Sequence, residues 1–148
     1  MEDLIPEETM VVTISGQGFI KRNQLSLFRA QRRGGKGIIG MSPDTEDYVA
    51  HLFAASTHDS FLFFTDKGRV YSIPCYQIPQ AGRATRGRSI ANLLDIERTG
   101  ESVTAVLPVA DFEEGKFVVF LTRRGIIKKT ELTAFSNIRR TGLSLIHI

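Results

Sequence analysis

Phe61-Leu62-Phe63-Phe64-Thr65-Asp66-Lys67-Gly68-Arg69-Val70-Tyr71 is the stretch that decides the fold. An apolar run ends in Thr-x-x-Gly, and a second short, basic run follows at once. Glycine reaches the positive φ of a tight turn without steric cost, so the stretch reads as a β-hairpin. The arrangement occurs twice more. Val11-Val12-Thr13-Ile14-Ser15-Gly16-Gln17-Gly18-Phe19-Ile20-Lys21-Arg22 precedes it, and Phe117-Val118-Val119-Phe120-Leu121-Thr122-Arg123-Arg124-Gly125-Ile126-Ile127-Lys128-Lys129 follows it. An internal repeat of this kind takes precedence over any element-by-element reading.

A second glycine follows each hairpin glycine at nearly constant distance: nineteen residues from Gly18 to Gly37 and from Gly68 to Gly87, seventeen from Gly125 to Gly142. Beyond the first two of these glycines come an apolar stretch, Ile38 to Met41 or Ser89 to Leu94, then an acidic turn, Asp44 to Asp47 or Asp95 to Glu101. A further strand closes each unit, Tyr48 to Ala54 or Ser102 to Val109. Four short strands in about fifty residues is the size of a propeller blade. Several strands are apolar without alternation, as expected of sheets covered on both faces. No segment joins a sustained 3.6-residue apolar period to helix caps, so the chain is expected to be all-β, with at most a short helical turn near Pro74 to Pro79. The expected organisation is a linker at 1–8, a first blade at 9–56, a second at 57–113 and an incomplete third at 114–148. The third repeat stops where its third strand is due, so the chain is expected to be a fragment. Its tail, 143–148, is either that strand or sequence foreign to the repeat, because the acidic turn is missing.

Length and composition fit about one globular domain: 148 residues, 42% apolar and 24% charged. A single cysteine, Cys75, excludes an internal disulfide and a cysteine-rich zinc site and is read as a small buried residue. No apolar run approaches the length of a bilayer span, and Met1 to Pro6 lacks the features of a signal peptide, so a cytoplasmic location is expected. The net charge is only +3, but its distribution is uneven. Windows 18–37, 67–88 and 123–142 hold 17 of the 19 Lys and Arg residues and one of the 16 Asp and Glu residues. Such segregation predicts a basic surface suited to a polyanion, with the acidic turns lying away from it.

The densest basic element is Gln31-Arg32-Arg33-Gly34-Gly35-Lys36-Gly37, where glycines let the backbone approach a phosphate while long cations reach sideways. It is not a P-loop: Ala30 stands where the first glycine belongs, and Gly37 follows the lysine. The repeat aligns it with Ala81-Gly82-Arg83-Ala84-Thr85-Arg86-Gly87 and Ser136-Asn137-Ile138-Arg139-Arg140-Thr141-Gly142. Candidate DNA-binding residues are therefore Gln31 to Gly37 with Lys21, Arg22, Arg69, Arg83, Arg86, Arg88, Arg123, Arg124, Lys128, Lys129, Arg139 and Arg140. Few aromatics stand among them apart from Phe28 and Tyr71, which favours duplex over single-stranded DNA. Tyr71 and Phe19 are read as core residues. No nucleophile, carboxylate pair or metal cluster recurs at usable spacing, and His51, His58 and His147 have no ligand spacing.

QRRGGKG is identical to the motif called the GyrA box, and the surrounding repeat, from about Glu2 to Gly142, resembles the C-terminal domain of the DNA gyrase A subunit. The likeness includes His58-Asp59, Ile78-Pro79-Gln80-Ala81 with Arg86-Gly87-Arg88, and Thr104-Ala105-Val106-Leu107-Pro108. It implies a β-pinwheel, a propeller-like disc of about six blades with strands exchanged between neighbours, of which two complete blades and a partial third are present here. It also implies double-stranded DNA wrapped on a basic rim, supporting ATP-driven negative supercoiling in a heterotetramer with the gyrase A catalytic core and the gyrase B subunit. The catalytic tyrosine and the ATP and Mg2+ sites of that family lie outside this region, so no cofactor is expected in this chain. The alternatives are the C-terminal domain of topoisomerase IV, which lacks an intact box, and a propeller-type module that binds an acidic protein.

Overall fold

A computed structural model of the chain describes residues 4–26, 47–82, 85–138 and 143–144. The Ser/Thr-x-x-Gly motif makes the same turn three times. In each, the glycine N–H donates to the carbonyl of the Ser or Thr three residues before: Gly18 to Ser15 (3.0 Å), Gly68 to Thr65 (3.1 Å) and Gly125 to Thr122 (3.0 Å). The hydroxyl of the same residue accepts the next N–H, from Phe19 (3.0 Å), Arg69 (3.2 Å) or Ile126 (3.0 Å). Gly18, Gly68 and Gly125 have φ of 88°, 73° and 85°, which a side chain would resist. The hydroxyl and the glycine thus close the turn from both sides.

These turns join β1 (Thr9–Ser15) to β2 (Phe19–Gln24), β4 (Ser60–Thr65) to β5 (Arg69–Pro74) and β8 (Phe117–Leu121) to β9 (Ile127–Glu131). β3 (Val49–Ser56) and β7 (Val103–Val109) lie antiparallel to β1 and β4, each with a register break beside the turn, at Ile14/Ser15 and at Phe64/Thr65. The fourth strand of each sheet comes from the next repeat. β6 (Arg88–Ser89) pairs with Phe19 and Ile20 of β2, and β10 (Leu143–Ser144) pairs with Arg69 and Val70 of β5. The sheets therefore run β3-β1-β2-β6 and β7-β4-β5-β10, with β8-β9 as the start of a third. This exchange is what makes the fold a pinwheel, and it places part of the second repeat inside the first blade. Leu143 and Ser144 take the third-strand position that was one of the two readings of the tail.

Covering on both faces explains the unbroken apolar strands. Phe61 and Phe63 of β4 join Met10, Val12, Ile14 and Ile20 of the first sheet in one core, while Leu62 and Phe64 join Val109, Leu132 and Phe135 in a second. β8 is covered on one face only: Val118 and Phe120 pack into the second core, whereas Val119 and Leu121 are 64% and 72% exposed.

One element differs from expectation in detail. The stretch 89–94, expected as a strand, pairs only through Ser89 and then forms a helical turn, α1 (Ile90–Leu93). Ser89 caps it by accepting from the Asn92 N–H (3.1 Å), and Ile90 and the following Leu94 bury the same face, as helical spacing demands. The turn expected near Pro74 to Pro79 is a 3-10 turn at Cys75–Gln77. Cys75 is buried, and desolvation pushes its thiol up to about 11, against a smaller lowering by Arg22. The stretch 38–41 lies outside the described residues.

Candidate nucleic-acid interface

The candidate cations fall into three groups. Gln31 to Gly37, Arg83, Arg139 and Arg140 lie outside the described residues. A second group sits at the edge of the first blade. β2 runs outward from the hairpin turn, and the chain of the second repeat, after Gln77, first runs parallel to it: Arg22 N–H donates to Pro79 O (3.0 Å) and Ala81 N–H to Arg22 O (3.3 Å), and beyond Gly87 it returns antiparallel as β6. Gly87 is the point of closest approach. Its φ is +85°, and a Cβ there would lie 2.3 Å from Ile20 O and 2.7 Å from Lys21 Cβ. The glycine that ends the loop is thus required by contact between neighbouring repeats.

On either side of Gly87 stand Arg86 and Arg88. The Arg86 guanidinium lies 4.6 Å from the Phe19 ring centroid and donates to Gln17 Oε1 (2.7 Å), while Arg88 is exposed and donates through Nε to Asn92 Oδ1. Phe19 is therefore half-buried beneath a cation and is not a core residue. Tyr71 is a core residue, with its hydroxyl donating to Glu101. The third group is the β8-β9 hairpin, where Arg123 and Arg124 are exposed in the turn. Lys129 lies 4.0 Å over the Phe117 ring, and Lys128 is half-buried.

Lys21 and Arg22 require correction as DNA contacts. Lys21 is 1% exposed, and its Nζ donates to Gly82 O (3.1 Å) and Thr85 O (2.7 Å) beneath the loop. Burial lowers its pKa. Arg22 donates from Nε to Ile78 O (2.6 Å) and from Nη2 to Tyr76 O (3.3 Å). Both side chains are used up in joining repeats. The signal for this was in the repeat itself, because Lys21 aligns with Tyr71, three residues after the hairpin glycine, at a position that faces inward.

The expected separation of acidic from basic turns also fails. Asp47 Oδ1 accepts from the Gln17 N–H (3.0 Å) and the Tyr48 N–H (2.9 Å), close to Arg86. Burial alone would raise the Asp47 carboxyl, but hydrogen bonds from Ser15, Tyr48 and Gln17 and the charge of Arg86 outweigh it and hold the group below the usual carboxylate range. Buried Glu101 accepts from Tyr71 Oη (3.2 Å) and pairs with Arg69 Nη1 (3.3 Å), and Lys67 Nζ donates to Thr99 O (2.5 Å). The cause is topological. β3 and β7 begin opposite Ser15 and Thr65, so the acidic turn that precedes each must meet a hairpin turn. There its carboxylate caps turn amides or compensates a local cation. Arg69 is exposed but paired with Glu101, which leaves Arg86, Arg88, Arg123, Arg124, Lys128 and Lys129 as the other described candidates with exposed or half-exposed side chains. Among the described residues no cluster of His, Cys, Asp or Glu is arranged to hold a metal, and no helix is long and apolar enough to cross a membrane.

Antiparallel sheets packed face to face, each completed by a strand of the following repeat, define a propeller-like pinwheel domain. The chain belongs to the family described as DNA gyrase C-terminal domain, beta-propeller, whose profile matches residues 9–56, 59–110 and 116–148. It is 45% identical over 147 residues to the DNA gyrase A subunit of Halalkalibacterium halodurans, covering 99% of this chain and 18% of that protein. It is 49% identical over 142 residues to the DNA gyrase A subunit of Escherichia coli K12, covering 96% of this chain and 16% of that protein. The crystal structure of the C-terminal domain of DNA topoisomerase IV superposes with a TM-score of 0.76 at 29% identity, over 95% of this chain and 42% of that one. The C-terminal domain of DNA gyrase A does so at 0.68 and 24%, over 94% and 43%. The chain thus spans less than a fifth of the gyrase proteins it matches and under half of each of these solved domains.

Proposed function

We propose that this domain binds duplex DNA through its phosphates, independently of sequence, and wraps it as the C-terminal part of a DNA gyrase A subunit. The parent protein, with its catalytic core and the gyrase B subunit, would then act in the cytoplasm as an ATP-dependent type II topoisomerase that introduces negative supercoils, using ATP and Mg2+ elsewhere. The observation that carries this reading is the loop 81–87. It aligns with QRRGGKG at 31–37, and it closes on the blade edge with Arg86 and Arg88 either side of a glycine that admits no side chain. A cationic loop repeated once per blade neutralises successive phosphates and needs no base contact. The structural likeness to the topoisomerase IV domain supports a second reading, in which the chain is the C-terminal domain of a topoisomerase IV subunit.

The test is duplex binding by the parent protein as a function of salt. Affinity independent of base sequence and falling steeply with salt is expected, with Arg32, Arg33 and Lys36 replaced by Ala lowering the slope by up to about 0.9 for each phosphate no longer neutralised. Salt-insensitive binding, or binding confined to one base sequence, would overturn the reading.

A further inference from the structure

Three consecutive side chains of β2 grip the incoming chain of the next repeat, and they do so with different chemistry. Lys21 Nζ donates to Gly82 O (3.1 Å) and Thr85 O (2.7 Å), and Asn23 Nδ2 donates to Ala81 O. Arg22, facing the other way, holds Ile78 O and Tyr76 O. Within the loop, Thr85 donates from N–H (3.2 Å) and from Oγ1 (2.8 Å) to Gly82 O, the same carbonyl that accepts from Lys21. An ammonium taken out of water is costly unless charge-assisted hydrogen bonds compensate it, and here carbonyls of the loop supply them. The carbonyl oxygens of Ala81, Gly82 and Thr85 are therefore committed inward. Those three acceptors are thereby turned away from an approaching phosphate.

We propose that Lys21 is a positioning residue for DNA binding: by holding the Gly82 and Thr85 carbonyls of the following repeat, its buried ammonium sets the adjoining Arg86 for contact with phosphates. This rests on the duplex-binding reading above. The sequence around the equivalent positions sharpens it. Tyr71 stands at this place in the second repeat and turns its hydroxyl to Glu101, which also pairs with Arg69, so the position itself is not filled by a lysine there. In the third repeat the position is Lys128. The first edge is thus the described one where a lysine and an opposing loop are both present, and Lys21 serves DNA through the loop rather than by touching it.

A double-mutant cycle in the parent protein separates the two roles. Lys21→Met is expected to weaken duplex binding about tenfold at 0.1 M salt and to lower the salt slope by more than the about 0.9 that one neutralised phosphate accounts for. In a background carrying Arg83→Ala and Arg86→Ala, the same change should have no further effect, and Lys21→Arg should restore most of the loss in the unmodified background. Equal losses in both backgrounds would make Lys21 a phosphate ligand and overturn the proposal, as would undiminished binding by Lys21→Met. Should Lys21→Met fail to fold, Lys21→Gln, which keeps a donor but no charge, goes through the same cycle with the same outcomes. Amide exchange at Thr85 reads the hold on the loop without DNA: it should accelerate in Lys21→Met. If the unmodified protein bound no duplex, the functional reading would fall while the exchange result still judged the loop.

Discussion

Gly18 and Gly87 offer a matched pair. Both have strongly positive φ, 88° and 85°, so an alanine at either meets the same left-handed backbone penalty, roughly 1–2 kcal/mol. Their surroundings differ. Nothing lies within 4 Å of a Cβ at Gly18, whereas a Cβ at Gly87 would stand 2.3 Å from Ile20 O, 2.7 Å from Lys21 Cβ and 2.9 Å from the Ile20 carbonyl carbon. Two of those atoms are backbone of a paired strand and cannot swing aside. Relief requires β6 to move off β2, which strains the Ile20–Arg88 pairing and the Lys21 hydrogen bonds above it. Forced overpacking of this kind costs typically about 1–3 kcal/mol beyond the backbone term. Gly87→Ala should therefore destabilise by about 2–5 kcal/mol and Gly18→Ala by about 1–2 kcal/mol. Urea unfolding of both variants, with slopes compared to confirm unchanged cooperativity, measures the difference. Equal losses would refute the strand exchange, because then Gly87 would not be pressed against its neighbour.

The remaining expectations concern the turn motif and two titrating groups. Thr65→Ala removes the acceptor of the Arg69 N–H and should cost about 1 kcal/mol in thermal or urea unfolding, with Thr65→Ser recovering most of it. The buried thiol of Cys75, raised from 9.0 to about 11, should resist alkylation at pH 8 until the protein unfolds. Because the folded state favours its protonated form, this group's stabilisation is complete below pH 9 and is lost as pH climbs towards 11, by on the order of 2–3 kcal/mol, a loss that Cys75→Ala should not show. Asp47 has the opposite sign. Its lowered pKa stabilises above the ordinary carboxylate range and the benefit fades as pH falls through the folded value, so Asp47→Asn should flatten the acid limb of the stability profile.

The fold was legible because its governing unit is local and repeated. Ser or Thr, two residues and a glycine at 15–18, 65–68 and 122–125 carry every hydrogen bond that closes the hairpins, so three short windows specify the strands. Strand exchange, which only the family resemblance implies, leaves no such mark: Arg88 and Ser89 look the same in sequence whether they pair with β5 or with β2. Ser89 also shows how one residue serves two ends, last in a strand and cap of α1, which is why the apolar run behind it reads as strand until the Asn92 hydrogen bond is known. At the interface, charge was legible and its use was not. Composition ranks Lys21 with Arg88, yet one is sealed beneath a loop and the other is exposed. Likewise Asp47 and Glu101 count as an acidic class in a window sum, but backbone register sets them beside hairpin turns, where each neutralises or caps a neighbour. Long-range pairing decides these placements, and a linear charge profile carries no information about it.

The central claim, that DNA is wrapped through geometry as well as charge, is tested most directly by linking number. The parent protein is bound to closed circular DNA, the circle is relaxed with an unrelated topoisomerase, and the protein is removed. A linking-number shift proportional to bound protein is expected, abolished when Arg32, Arg33 and Lys36 become Ala. It should also be reduced when Gly34 and Gly35 become Val, a change that keeps every charge but removes backbone freedom. A full shift from the glycine variant would contradict the geometric part of the account. Absence of any shift from the unmodified protein would contradict wrapping itself.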